Sequence, residues 1–248
     1  MFFSKMSVAQ TIKSLREMSH LGLGNEPSQS EMHKLISKVE KRFLDSDSYE
    51  LEYRLGIALR NYTAWFVRGD ERKLYLQEAV QHLEKAYALS KEVISEELTA
   101  TDKHTLGSLD RNTIACEVGF ILIDEAIIRD LEKGISYLGT IFNNTTNYYP
   151  QFCSYAEAFY MLGDYLKSAE VALELHRRAE KSFEWKGSVP PAPIGIVAKA
   201  YRAKPKEHKK NGEIRQAISL FQKLDDMNMA TDNDQKLLEK LRVSGKKQ

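Results

Sequence analysis

The sequence predicts an all-α fold made of successive helical hairpins. Three observations carry this. Apolar residues recur three and four positions apart in segment after segment. The chain holds 13 Gly and only 6 Pro, and both cluster, leaving long stretches free of either helix breaker. No run alternates apolar and polar residues for long enough to make a sheet.

The elements follow in order. Phe2, Phe3, Met6, Val8, Ile12, Leu15 and Met18 share one face of a helix over 5–20. A transit peptide is the weaker reading of this segment, because basic residues are few and Glu17 is acidic. The break Gly22-Leu23-Gly24-Asn25-Glu26-Pro27 precedes a second helix over 29–44. That helix opens with Ser28-Gln29-Ser30-Glu31, the spacing at which a hydroxyl and a carboxylate reciprocally satisfy unpaired amides. Asp47-Ser48-Tyr49-Glu50 starts a third helix, over 48–67, in the same way. Further helices are expected at 71–95, 110–129, 131–143 and 150–162, the last two separated by Asn143-Asn144-Thr145-Thr146-Asn147. Another spans 165–184. Gly187-Ser188-Val189-Pro190-Pro191-Ala192-Pro193 then interrupts the chain before helices at 190–204 and 212–226. Thr231-Asp232-Asn233-Asp234 places acids at the positive end of a final, polar helix over 232–243.

A 248-residue chain with 42% apolar and 29% charged residues can bury enough surface to fold, so disorder is not expected. The net charge of +1 sets up no global field toward nucleic acid or an anionic membrane. No window reaches the roughly 18 consecutive apolar residues of a membrane span. Cys116 and Cys153 are too few for a disulfide framework and fit a reducing compartment, so a cytoplasmic location is expected.

The segment from Tyr155 to Leu175, with Gly163-Asp164-Tyr165 at its turn, resembles a tetratricopeptide repeat. Weaker copies pair Tyr53–Leu59 with Glu78–Leu89, and Cys116–Phe120 with Lys133–Leu138. A fourth turn and second helix lie at 211–221. In each copy a small residue on the first helix lets the second approach, and a large one such as Leu83, Leu138 or Phe221 fills the space beside it. The likeness covers roughly 48–226 and is divergent. The first hairpin carries about ten residues more than the 34-residue unit, and most copies lack the expected proline. The resemblance implies a right-handed superhelical solenoid. Residues 1–46 would supply N-terminal helices packed on it, and 47–248 the repeats and a capping helix.

It also implies a concave groove lined by first helices. Its residues would be Tyr53, Ile57, Arg60 and Asn61, then Phe120 and Asp124, then Glu157, Tyr160 and Met161, then Lys199 and Arg202. Tyr53, Phe120 and Tyr160 would anchor a protein or peptide, and the charged members would orient it. Positions where some relatives hold Lys and Asn for a C-terminal carboxylate are here Tyr53, Ile57, Cys116 and Phe120, so that clamp is not expected. Many of these apolar residues could equally pack against neighbouring helices. The second partner class is nucleic acid, through Lys199, Arg202, Lys204, Lys206, His208, Lys209 and Lys210. Only Tyr201 offers a stacking ring there.

Chemistry-bearing patterns are missing. There is no Walker loop, no Gly-x-Ser-x-Gly elbow and no Cys pair with zinc spacing. Glu78 and His82 lie one turn apart and could share a metal, but no carboxylate-histidine pair on another helix matches them. Exposed side chains are the expectation there. Neither a catalytic centre, a metal nor a cofactor is expected.

Overall fold

The computed structural model describes residues 7–19, 28–43, 47–90, 111–146, 149–183, 192–210 and 214–245. They form eleven helices and, among the described residues, no strand. In chain order these are α1 (Val8–Ser19), α2 (Gln29–Phe43), α3 (Tyr49–Phe66), α4 (Glu71–Leu89), α5 (Arg111–Asp124), α6 (Leu131–Asn144), α7 (Phe152–Met161), α8 (Tyr165–Phe183), α9 (Ala192–Lys210), α10 (Ile214–Asp226) and α11 (Asp232–Gly245). No described helix is long and apolar enough to cross a membrane.

Two helix ends depart from expectation. α5 stops at Asp124 rather than 129, because the turn after it closes on its own carbonyls. Arg129 Nε donates to the Ile123 carbonyl at 2.7 Å, and the Asp130 amide to Leu122 at 2.8 Å. α9 runs through Pro205 to Lys210 instead of ending at 204. Proline removes one backbone donor, and packing of α9 on both α8 and α10 outweighs that loss. The expected ends at 5, 20 and 95, and most of the Pro-rich break, lie outside the described residues.

The chain divides into two compact units, Met1–Tyr137 and Leu138–Gln248. In the first, α1 and α2 pack on α3, which pairs with α4. Leu15, Met32, Leu35, Ile36 and Val39 meet Leu51, Leu55, Leu59 and Tyr62 in one core. α3 is thus covered on more than one side, which is why even Glu52 and Thr63 are buried along it. Gly56 explains how closely α3 and α4 approach. A Cβ there would stand 2.6 Å from Leu83 Cγ and 2.9 Å from the Ala79 carbonyl. A second core joins Val80 and Leu83 of α4 to Ile114, Val118 and Ile121 of α5. Tyr137 stands edge-on to Tyr87, and both its hydroxyl and Lys133 reach Glu84.

In the second unit α7 pairs with α8, α8 with α9, α9 with α10, and α10 with α11, while α9 also touches α7. Phe152, Leu175, Phe221, Leu224 and Leu241 are fully or nearly buried. Gly163 takes φ +83° in the α7–α8 turn, a left-handed conformation that side chains resist. The caps anticipated at Ser28 and Thr231 form. Glu31 accepts from the Ser28 amide at 2.9 Å, and Asp234 from the Thr231 amide at 2.9 Å. At α3 it is Ser48 that caps, accepting from the Leu51 amide at 3.3 Å, so the frame starts one residue later than Asp47.

Candidate functional site

Each unit carries part of the residue set expected to line a groove. In the first, the stripe of α3 holds Tyr53, Ile57, Arg60 and Asn61. Tyr53 is 7% exposed and belongs to the core with Val80, Ile114 and Val118. Burial, with a smaller push from the Glu117 charge, raises its phenol to about 12. Little of the ring is left at the surface, and most of it packs among core side chains. Ile57 and Phe120 are half-buried against the same core. The structure brings Arg60 and Phe120 together, the guanidinium lying 5.0 Å over the ring. Arg60 Nη1 donates to Glu117 at 3.0 Å, so this arginine ties α3 to α5. Asn61 is half-buried and Asp124 exposed, the latter's backbone carbonyl accepting from Arg129.

In the second unit, Tyr160, Glu157 and Lys199 come together. Lys199 Nζ sits 4.3 Å over the Tyr160 ring and 3.9 Å from Glu157. Tyr160 also leans on Tyr165, with ring centroids 5.1 Å apart. Next to them Met161, Leu162 and Leu166 are exposed, Leu162 by 53%, around the α7–α8 turn. Leu162 and Leu166 escaped sequence reading because they sit in a segment whose apolar spacing suggested burial throughout. Arg202 is half-buried and engaged within the unit. It donates to Asp234 at 2.9 Å and to the Met229 carbonyl at 2.7 Å, holding the start of α11 against α9. Burial works against the Asp234 charge, but bonds from Thr231 and Arg202 prevail and hold its carboxyl below the usual range. Of the basic run, the side chains of Lys206, His208, Lys209 and Lys210 lie outside the described residues.

A separate cleft of about 490 Å³ opens in the first unit, lined by Val39, Glu40, Leu51, Glu52, Glu78 and His82, with Lys41 beside them. Glu78 and His82 are half-buried rather than exposed, in a cleft to which α2, packed on α3, adds Glu40. One oxygen from each of Glu40 and Glu78 and one ring nitrogen of His82 lie within 4.8 Å of one another. His82 Nδ1 is 2.6 Å from Glu52 Oε2, and Lys85 Nζ is 2.7 Å from Glu52 Oε1. Burial pushes the Glu52 carboxyl up, but these two hydrogen bonds and their charges outweigh it and hold it below its ordinary value. Glu40 is raised, first by burial and then by the Glu78 charge, against smaller pulls from His82 and His33. The sequence signal for this cluster was Glu78 and His82 at helical spacing. Its third member comes from a different helix, far along the chain.

No protein-family profile, no curated protein and no solved structure matches this chain.

Proposed function

We propose that the chain is a non-catalytic, tetratricopeptide-like scaffold that binds a protein or peptide segment. The observation that carries the reading is the exposed cluster of Met161, Leu162 and Leu166 beside Tyr160, rimmed by Lys199 and Glu157. Apolar and aromatic side chains next to opposite charges suit a peptide, where the apolar part supplies affinity and the rim supplies orientation. The serial pairing of α3 with α4 and of α7 through α10, with α9 reaching back to α7, supports a stacked-hairpin architecture. Arg60 and Phe120 serve to join helices in this reading, and Tyr53 is interior. The nucleic-acid alternative draws little support, since Arg202 and Lys199 are engaged by acidic and aromatic neighbours.

The test is the double substitution Leu162→Glu and Leu166→Glu. Both side chains are exposed, so the far-UV circular dichroism and melting midpoint should match the parent. A partner captured by the parent chain should then bind the variant at least tenfold more weakly, about 1.4 kcal/mol. Equal binding by both chains would remove this surface from consideration.

A further inference from the structure

We propose that Glu40, Glu78 and His82 form a binding site for one divalent transition-metal ion, zinc being the best match, which would join α2 to α4. The argument starts from ligand type. An imidazole with two carboxylates is a donor set suited to zinc and its first-row neighbours, and the two negative charges match the charge of the ion. The donors come from two helices, with Glu78 and His82 one turn apart on α4 and Glu40 on α2. Their ligating atoms already lie within 4.8 Å. Donors about 2 Å from a tetrahedral ion stand about 3.4 Å apart, so modest side-chain rotation completes the set.

The arrangement around His82 is the second observation. Glu52 is only 4% exposed, and its carboxylate accepts the hydrogen bond from His82 Nδ1. A histidine that donates from Nδ1 presents its lone pair on Nε2, and a buried carboxylate in that role both fixes the ring and makes it a better donor. Lys85 holds the other Glu52 oxygen, so the carboxylate stays in place as the orienting group. Among the described residues, no ion pair engages Glu40 or Glu78. Two carboxylates thus face one another in a partly buried cleft, an arrangement that a cation relieves. Three protein donors leave at least one coordination position toward the cleft for water or another small ligand.

Zinc chloride titrated into the chelator-treated full chain, followed by calorimetry, should show one ion per chain. The double variant Glu40→Gln and Glu78→Gln removes like-charge repulsion and should keep its helical circular dichroism while losing at least tenfold in affinity. Glu52→Gln leaves all three donors in place and should weaken binding 10- to 100-fold through the orientation of His82. A measurement on the parent chain needs no variant to fold. Zinc should protect His82 from acylation by diethyl pyrocarbonate, read by peptide mass spectrometry, while exposed His33 reacts as before. Equal zinc affinity of the parent and the double carboxylate variant would overturn the site. So would modification of His82 at the same rate with and without zinc.

Discussion

The α3–α4 and α7–α8 hairpins follow one plan and use it differently. In the first, glycine lies inside the helix. Gly56 gives up its side chain so that Leu83 can fill the space, and the charged residues cross between helices, from Glu52 to His82 and Lys85. In the second, glycine lies in the turn. Gly163 supplies backbone freedom, with nothing within 4 Å of where a Cβ would be. Its strongest charged contacts run along α8, from Glu174 to Arg177 and Arg178. The first hairpin turns its polar residues inward to hold helices together. The second leaves a group of apolar residues outside, at Met161, Leu162 and Leu166, where the first exposes only Leu74 among its described large apolar side chains. A helical hairpin can therefore keep its helices and turn while the balance between inward polar and outward apolar side chains shifts.

Three substitutions sharpen that contrast. Gly56→Ala should have the largest effect, a loss of about 2 kcal/mol in chemical unfolding, because overpacking against Leu83 and the Ala79 carbonyl exceeds the gain in helix propensity. A neutral result would show that α3 and α4 can separate freely.

Glu174→Gln should cost somewhat less, about 1.5 kcal/mol at neutral pH, because buried Arg178 loses a charged acceptor at 2.9 Å. Hydrogen bonding from Arg177, with further help from Arg178 and against some burial, lowers the Glu174 carboxyl to about 2. A carboxyl lowered in the folded state stabilises it fully above the ordinary value of 4.5. That stabilisation fades as pH falls from there toward about 2. Unfolding measured across this window should show the decline in the parent chain and a flatter profile in the variant.

Gly163→Ala should have the smallest effect, about 1 kcal/mol, since only the positive φ resists the new side chain. A loss as large as that at Gly56 would mean that the turn is crowded after all.

The helices were legible because periodicity, caps and breakers agreed, as at Ser28 and Thr231, where each predicted side chain bonds its amide. The Gly56–Leu83 fit was legible for the same reason, as a small residue one helix away from a large one. Tyr53 was not. α3 buries Leu51, Tyr53, Leu55, Ala58, Leu59 and Tyr62, so nearly every side of it reads as apolar and spacing cannot tell groove from interior. Arg202 looked like a surface cation because its partner, Asp234, is supplied by another helix. Glu40 was missed on the same grounds. Two of its three members were visible as Glu78 and His82, and the third depended on where α2 packs.

The packing of α1 and α2 on α3 has a practical side. A shortened chain starting at Asp47 would keep the α3–α4 and α7–α8 hairpins, yet it would strip Leu51, Leu55, Leu59 and Tyr62 of Leu15, Met32, Ile36 and Val39. Such a fragment would carry an oily strip along its leading helix and would recruit a substitute from a sister molecule or precipitate. α1 and α2 therefore close one flank of α3, and anyone trimming the protein for study should leave them attached.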